Sequence, residues 1–436
     1  MAERLVIRGG TVIDPANRVD GVRDILVESA VIRGVGEAGE FDAVKGDDVE
    51  LIEAKGCWVT PGFIDMHVHL REPGYEYRET IATGAEAAVA GGFTSVACMA
   101  NTKPVNDNAA VTEYIVERAR MARKANVFPV GALSMGLEGK QLAEIGEMRR
   151  AGIVAISDDG HPVDDSGLMR RALEYTRLFD LAVIVHEEDR GLAAGGVMNE
   201  GATCMRLGLK GIPAAAEETM IARDIALAEL TRGKLHIAHL STAASVELVR
   251  QAKRHGLAVT AEATPHHLFL TEQAVEGYNT NAKMNPPLRS ERDVEALREG
   301  LRDGTIDAIA TDHAPHHADE KEVEFDLANF GIIGLETALP LALRLVADAG
   351  IPRDTVFRAL TTAPARVLGI DRGTLSVGAV ADITVIDPSV EWRYRVTESK
   401  SKSRNSPFEG WEMKGRARHT IVSGRIVWSN ANNAGH

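Results

Sequence analysis

Cysteine is scarce in this sequence, with three residues, Cys57, Cys98 and Cys204, in 436 positions. They are widely separated, match no CxxC pattern, and cannot all pair with one another within one chain. This excludes a framework of disulfide bonds, and we expect a reducing, cytoplasmic environment.

Basic residues are fewer than acidic residues, and long apolar runs are absent from the sequence. Lysine and arginine number 49 against 63 acidic residues, and the formal net charge of −14 argues against a surface for nucleic acid or anionic membranes. An anionic substrate must therefore meet local positive charge, such as a metal ion or an arginine. No apolar run reaches the roughly 18 residues of a transmembrane helix. The charged start "MAERLVIRGGTVID" lacks the apolar core of a signal peptide.

The rest of the composition is that of an ordinary globular protein, 44% hydrophobic and 26% charged. Both ends of the chain are rich in valine and isoleucine punctuated by glycine and aspartate, which is typical of short strands and turns. The middle alternates short apolar runs with amphipathic segments, which is typical of βα units. We predict a barrel domain at residues 59–366 and one small β-sandwich domain built from residues 1–58 and 367–436.

The middle contains eight candidate strands separated by helical segments, the number expected of a (β/α)₈ TIM barrel. The candidates are "FIDMHVH", "TSVACMAN", "VFPVGAL", "IVAISDD", "AVIVHEE", "KLHIAHL", "LAVTAEATPHH" and "IDAIATDH". Active sites of this fold lie at the C-terminal ends of the strands, so reactive side chains are expected where each apolar run stops.

Polar side chains do stand at those ends. In "GFIDMHVHLREPG", residues 62–74, His67 and His69 are two positions apart and share one strand face, which suits a divalent cation but also occurs in ordinary strands. The other strand ends carry Asn101, Asp158, Asp159, His186, His239 and Asp312. Four histidines, together with aspartates from two of the strands, favour a metal centre at one rim, and Asp159 and Asp312 are the two aspartates counted as ligands.

These ligands exceed the three or so protein ligands that one catalytic zinc ion takes, so we predict two zinc ions. Asp159 is the expected bridge, because a carboxylate has two oxygens. We assign the remaining five to the two ions, His67, His69 and Asp312 to one and His186 and His239 to the other. A metal-bound hydroxide is the expected nucleophile. Asp312 is expected to act as general base and then general acid, and the alternative is that it only binds metal or caps a helix.

The order of motifs resembles a known family over nearly the whole chain. "GFIDMHVHLREPG", "SDDG", "VHEED", "HLSTAASVELV", "KMNPPLR", "TDHAPH" and "GAVADITVID" together look like the cyclic amidohydrolases, and most closely the bacterial class I dihydroorotase family. The resemblance implies the reversible cyclisation of N-carbamoyl-L-aspartate to L-dihydroorotate in pyrimidine synthesis, with zinc at the positions assigned above. It also implies substrate-binding residues: Arg71, Asn101 and His316 for the substrate carboxylate, Asn285, Phe330 and Gly331 for the ring, and His69 beside them.

One departure separates the subfamilies. Dihydropyrimidinases, allantoinases and many dihydroorotases bridge their metals with a carboxylated lysine on strand 4, but no lysine lies between Lys140 and Lys210. Asp159 of "SDDG" takes that position. The alternatives are an allantoinase or dihydropyrimidinase, and a non-catalytic partner of aspartate carbamoyltransferase. A homodimer and a complex with that transferase both remain open.

The connection after the eighth barrel strand has two possible interpretations. Residues 317–331 are polar and either close over the substrate and exclude water or form a disordered surface loop. Among the other histidines, we expect His236 to be packed in the core, and His266 and His267 to stiffen the rim.

Overall fold

The computed structural model describes residues 4–430, and they form two large sheets and a ring of helices. The strands are Arg4–Asp14 (β1), Val19–Glu28 (β2), Val31–Gly36 (β3), Val49–Glu53 (β4), Trp58–Pro61 (β5), Phe63–Val68 (β6), Phe93–Cys98 (β7), Asn126–Gly131 (β8), Ala155–Ser157 (β9), Ala182–Val185 (β10), Met198–Asn199 (β11), Gly211–Ile212 (β12), Lys234–Ile237 (β13), Val259–Ala263 (β14), Ala308–Ile309 (β15), Ile383–Arg393 (β16), Glu412–Val422 (β17) and Arg425–Ser429 (β18).

The helices alternate with the strands through the middle of the chain. They are Ile81–Ala90 (α1), Ala109–Ala122 (α2), Ile145–Ala151 (α3), Ser166–Thr176 (α4), Arg190–Ala193 (α5), Ala202–Leu207 (α6), Ala215–Thr231 (α7), Ala243–Arg254 (α8), Pro265–Phe269 (α9), Glu291–Asp303 (α10), Ala338–Ala347 (α11), Arg353–Leu360 (α12) and Thr362–Leu368 (α13). None of the helices between residues 4 and 430 has the length and apolarity that a bilayer-spanning segment needs.

The barrel is a parallel sheet in the order β15-β14-β13-β10-β9-β8-β7-β6. All eight predicted strands are present in it. The two edges approach each other beyond the end of β15, where Val68 forms a bridge with His313 and the His69 amide donates to the His313 carbonyl at 2.8 Å. The barrel is therefore nearly closed, and the strand ends meet at one rim, as the sequence predicted.

Both ends of the chain build the second large sheet, in the order β18-β17-β16-β5-β1-β2-β3 with β4 beside β1. Leu5, Ile7, Val59 and Ile383 belong to its buried core. The predicted fold class, a TIM barrel with a β domain from both termini, is confirmed. The predicted boundary between residues 58 and 59 lies inside β5, and β6 begins two residues after β5 ends.

Helix α10 shows how the local sequence sets the barrel helices. Ser290 and Asp293 form a capping box at its start, and Gly304 ends it in a left-handed conformation. Val294, Leu297 and Leu301 recur at helical spacing and are buried, so this face packs on the barrel.

Candidate metal centre and substrate pocket

Six predicted ligands converge at the rim of the barrel. They lie within or just beyond the strands: His67 in β6, His69 after β6, Asp159 after β9, His186 after β10, His239 after β13 and Asp312 after β15. All six are buried. The structure therefore brings together the residues that the sequence placed at separate strand ends.

The first group of potential ligands comprises His67, His69 and Asp312. Oδ1 of Asp312 lies 2.9 Å from Nε2 of His69 and 3.4 Å from Nε2 of His67. Two imidazole nitrogens and one carboxylate oxygen thus lie close together. Together they are the donor set of a catalytic zinc site.

The second group comprises His67, Asp159 and His239. Oδ1 of Asp159 lies 3.4 Å from Nε2 of His67 and 3.5 Å from Nε2 of His239. His186 joins from the side, with Nδ1 3.0 Å from Nε2 of His239 and 3.7 Å from Oδ1 of Asp159. Asp159 also faces the first group, because its Oδ2 lies 3.4 Å from Nε2 of His69.

The unpaired atoms in this cluster fit a bound cation. Nε2 of His67 and Oδ1 of Asp159 are both buried and neither makes a hydrogen bond. Buried polar atoms are nearly always satisfied, and a metal ion satisfies lone pairs that face one another. Imidazole and carboxylate donors without thiolate are compatible with zinc.

Opposite charges dominate the electrostatics of the cluster. Burial lowers the pKa of His67, but attraction to Asp159 and Asp312 outweighs burial and raises it well above its ordinary value. Burial likewise raises the pKa of Asp312, and the charge of His67 and the hydrogen bond from His69 outweigh it, so that the pKa of Asp312 lies well below its usual range. Burial also raises the pKa of Asp159, but the charge of His67 outweighs burial and lowers it well below its usual range. Both aspartates are therefore anionic at neutral pH, as metal ligands must be.

Glu262 in β14 is a functional candidate that the sequence prediction missed. Its Oε1 lies 2.7 Å from Nδ1 of His67, and its Oε2 lies 3.2 Å from Nε2 of His236. Burial raises the pKa of Glu262, but His67 and His236 outweigh burial and lower it to about 2. A carboxylate on the second nitrogen of a metal-binding histidine orients the ring and increases its basicity.

Glu262 stands inside an apolar strand, "LAVTAEATPHH", and not at its end. A charged residue in the middle of a buried strand is the signal that could have identified it.

Two further aspartates fix the backbone around the ligands. Asp65 accepts hydrogen bonds from the amides of His67 and Thr311, both at 3.1 Å. Asp158, next to Asp159, accepts from the amides of Leu133 at 2.8 Å and Ser134 at 3.0 Å. These carboxylates connect neighbouring strand ends and hold the rim in one register.

Arg71 lies beside the cluster in a strained backbone conformation, with φ at 62°. It is 8% exposed, its Nε donates to the carbonyl of Pro315 at 3.1 Å, and its Nη2 lies 3.3 Å from Nε2 of His316. Burial lowers the pKa of Arg71 to about 10. Within residues 4–430, no carboxylate forms an ion pair with Arg71, so a buried guanidinium cation faces the site without an anionic partner.

The two predicted asparagines contact histidines of the cluster. Oδ1 of Asn101 lies 3.0 Å from Nδ1 of His69, and Nδ2 of Asn285 lies 3.4 Å from Nε2 of His186. Oδ1 of Asn285 is buried without a hydrogen-bond partner. Asn101 therefore supports His69 through one end of its amide, while Asn285 has an unpaired acceptor.

Residues 317–331 fold back on the barrel. Lys283 is buried, its Nζ donates to the Phe325 carbonyl at 2.7 Å, and it lies 4.6 Å from the ring centroid of Phe330. The Gly331 amide donates to the Lys283 carbonyl at 2.9 Å. These contacts disagree with the alternative of a disordered surface loop. Gly331 also lies against the ring of His316.

His236 and His267 agree with their structural expectations, whereas His266 lacks the side-chain hydrogen bond expected at Nε2. His236 is fully buried and bonds to Thr260, with Nδ1 to Oγ1 at 2.8 Å. His267 connects the rim after β14 to Pro286, whose carbonyl oxygen lies 2.9 Å from its Nε2. His266 is also buried there, but its Nε2 has no hydrogen-bond partner.

Comparison with known proteins gives consistent relatives. A family model described as dihydro-orotase-like matches residues 56–245, and one described as amidohydrolase family matches residues 334–428. A dihydroorotase of Anaeromyxobacter dehalogenans (strain 2CP-C) is 57% identical over 98% of both chains. A dihydroorotase of Geobacter metallireducens is 56% identical over 97% of this chain and 99% of its own.

Solved structures show the same fold at lower identity. The L-hydantoinase (dihydropyrimidinase) of Arthrobacter aurescens superposes with a TM-score of 0.87 at 24% identity, covering 98% of this chain and 96% of its own. The dihydropyrimidinase of Brevibacillus agri NCHU1002 has a TM-score of 0.84 at 24% identity, covering 99% of this chain and 96% of its own. At this identity the likeness establishes the architecture alone.

Proposed function

Because the chain belongs to the dihydroorotase family of cyclic amidohydrolases, we propose that it interconverts N-carbamoyl-L-aspartate and L-dihydroorotate in pyrimidine biosynthesis with the help of bound zinc. One observation carries the proposal: a buried cluster of four histidines and two aspartates lies beside a buried arginine that has no described carboxylate partner. The cluster suits amide chemistry, and the arginine suits a substrate with a carboxylate.

Two zinc ions would be held by His67, His69, Asp159, His186, His239 and Asp312, with Asp159 facing both groups of ligands. Zinc bound there would polarise the ring amide carbonyl and lower the pKa of a water molecule. Glu262 would keep His67 in the orientation that presents Nε2 to the cluster.

Asp312 would move the proton in this reaction. In the hydrolytic direction, water adds to the amide carbonyl carbon and gives a proton to the Asp312 carboxylate. Asp312 then donates that proton to the ring nitrogen as the carbon–nitrogen bond breaks. The low pKa of Asp312 supports the first role, because it provides an unprotonated base at neutral pH.

Arg71 and His316 would hold the substrate carboxylate, with Asn101 beside them. A guanidinium presents donors in a planar fork that matches a carboxylate. Asn285 has an unpaired acceptor for a ring N–H, and Phe330 and Gly331 would border the ring. The carboxylate is what separates dihydroorotate from dihydrouracil and allantoin, so Arg71 favours a dihydroorotase over a dihydropyrimidinase or an allantoinase.

We also propose that the enzyme is cytoplasmic. It would act alone, as a homodimer, or in a complex with aspartate carbamoyltransferase. A purely non-catalytic partner is disfavoured because all six ligands are present and converge. Co-purification of the transferase from native cells tests the complex separately from the activity.

Purified protein is expected to contain about one to two zinc ions per chain and to convert dihydroorotate to carbamoyl-aspartate far faster than it opens dihydrouracil or allantoin. Zinc content and turnover of the three compounds are measured on the same preparation. Removal of zinc with a chelator should abolish turnover, and added zinc should restore it. Zinc-loaded protein that leaves dihydroorotate unchanged would contradict the proposal.

Glu262→Gln is expected to weaken zinc binding by about 10–100-fold, the usual effect of losing a carboxylate behind a metal-binding histidine. The glutamine keeps the shape of the side chain but not its charge, so His67 loses its anionic partner. Competition with a chelator of known affinity measures the change. Thr260→Val is the control, because it removes only the hydroxyl beyond His236, and equal losses in both variants would argue against a direct role for Glu262.

A further inference from the structure

The C-terminal part of the sheet domain reaches the rim of the barrel. Residues 399–408, here called the rim segment, connect β16 to β17 and are fastened to the barrel by several hydrogen bonds. The amide of Lys402 donates to Oε1 of Glu79 at 3.1 Å, and Oγ of Ser403 donates to the carbonyl of Arg78 at 2.7 Å. Ser401 also donates to Glu79, which is fully buried.

Asn405 is the residue of the rim segment that contacts the substrate pocket. Its side chain is 3% exposed and makes three hydrogen bonds with backbone groups of the barrel. Oδ1 accepts from the His316 amide at 3.0 Å, and Nδ2 donates to the carbonyls of Ala314 at 2.9 Å and Gly331 at 3.0 Å. Its own carbonyl accepts from the Ile333 amide at 2.9 Å. The side-chain amide of Asn405 therefore joins residues 314–316 to Gly331, and its backbone carbonyl adds Ile333.

Gly331 shows how closely these two stretches approach. Its φ is 149°, and a Cβ at this position would lie 2.7 Å from both the Ala314 carbonyl oxygen and Cδ2 of His316. Such a contact is far inside van der Waals distance, so the His316 ring rests against the bare backbone of Gly331. The spacing between the two stretches thus decides where the His316 ring lies.

Two buried lysines, Lys321 and Lys283, also hold the backbone around Gly331 in place. Lys321 is 3% exposed, and its Nζ donates to the carbonyls of Asn329 at 2.6 Å and Gly331 at 3.3 Å. Within residues 4–430 it forms no ion pair with a carboxylate. The Gly331 carbonyl therefore accepts from both Asn405 and Lys321, while the Gly331 amide donates to Lys283.

We infer that Asn405 is a positioning residue for the substrate pocket, which holds His316 and Gly331 at the spacing that the substrate carboxylate and ring require. This rests on the proposed function, in which those two residues contact the substrate. Asn405 acts through backbone hydrogen bonds and touches no reacting atom. Without it, the buried His316 amide and the buried Ala314 carbonyl lose their partner, the Gly331 carbonyl keeps only Lys321, and the two stretches separate to reach water. The sheet domain built from the termini thereby contributes to substrate binding.

Asn405→Ala is expected to raise KM for dihydroorotate at least tenfold and to change kcat less than threefold, with zinc content as in the unaltered protein. The contacts at stake hold the substrate in the ground state and in the transition state alike, so their loss appears in KM. Asn126→Ala is the matched control, because Nδ2 of Asn126 also has three acceptors within hydrogen-bonding distance, on Thr94, Ser95 and Asp382, at the opposite end of the barrel. It should lower Tm without changing KM more than twofold.

An unchanged KM in folded Asn405→Ala would overturn the inference, as would an equal rise in KM in Asn126→Ala. If the alanine variant does not accumulate as folded protein, Asn405→Ser keeps one hydroxyl for this site and should still raise KM threefold or more. A KM within twofold of the unaltered value in the serine variant would also overturn the inference. Failure of the unaltered protein to turn over dihydroorotate would instead overturn the proposed function, so the two failures are distinguishable.

Discussion

Replacing Asp312 with alanine is expected to lower kcat for dihydroorotate by about 1000-fold, because a general acid and base contributes typically 10²–10⁴-fold. Asp312 is buried between His67 and His69, with Oδ1 within 3.4 Å of both Nε2 atoms, and it is anionic in this setting. Steady-state kinetics in both directions, with zinc content measured on the same samples, checks the prediction.

Zinc content separates the two roles of Asp312. Asp312→Asn keeps one oxygen that can face the metal but cannot accept and return a proton. It should retain more zinc than the alanine variant while remaining almost as inactive. Asp382→Asn is the control, since Asp382 is about as buried but accepts from the Ser423 amide at the far end of the barrel. An active, zinc-loaded Asp312→Asn enzyme would assign the proton transfer to another group.

Replacing Arg71 with alanine is expected to lower kcat/KM for dihydroorotate by about 100-fold or more, mostly through KM. Loss of one partner of a buried, hydrogen-bonded charge pair costs about 2–5 kcal/mol, and each 1.4 kcal/mol is about tenfold. The substrate carboxylate would then enter a buried pocket without its cation. Kinetics with carbamoyl-aspartate in the reverse direction should show a comparable loss, because both compounds carry this carboxylate.

The size of the Arg71 effect should depend on the substrate. Dihydrouracil lacks the carboxylate, so its turnover should change little and the preference for dihydroorotate should shrink. Arg71→Lys should recover only part of the loss, because an ammonium does not reproduce the planar fork. Arg298→Ala removes a half-buried guanidinium that donates to the Leu268 carbonyl outside the pocket, and it should leave KM unchanged. Equal losses for both substrates would show that Arg71 supports the fold and does not recognise the carboxylate.

The convergence of the proposed metal ligands could be predicted from sequence because the geometry of the barrel brings the strand ends together. Parallel strands place their C-terminal ends on one rim, so polar residues at the ends of apolar runs must lie near one another. His67 and His69 are the clearest case, since strand alternation alone puts both on one face. The distribution of ligands was less predictable, because His67 lies within reach of both Asp159 and Asp312 and so belongs to both donor groups.

Glu262 and Asn405 could not be assigned in this way. Glu262 lies within β14, one residue before its end, and its partner His67 is 195 positions away. Asn405 lies in a connection of the sheet domain, 89 positions from His316, and acts through backbone groups that carry no side-chain signal.

The sequence by itself determined the barrel, the sheet domain built from both termini and the convergence of the proposed ligands at the rim, because apolar periodicity and strand ends are local properties of the chain. Only the tertiary structure decided which groups support those ligands and which stretches of backbone set the pocket. Those contacts join residues from distant strands and from another domain, and their energies depend on distances of a few ångströms that exist only after the chain has folded.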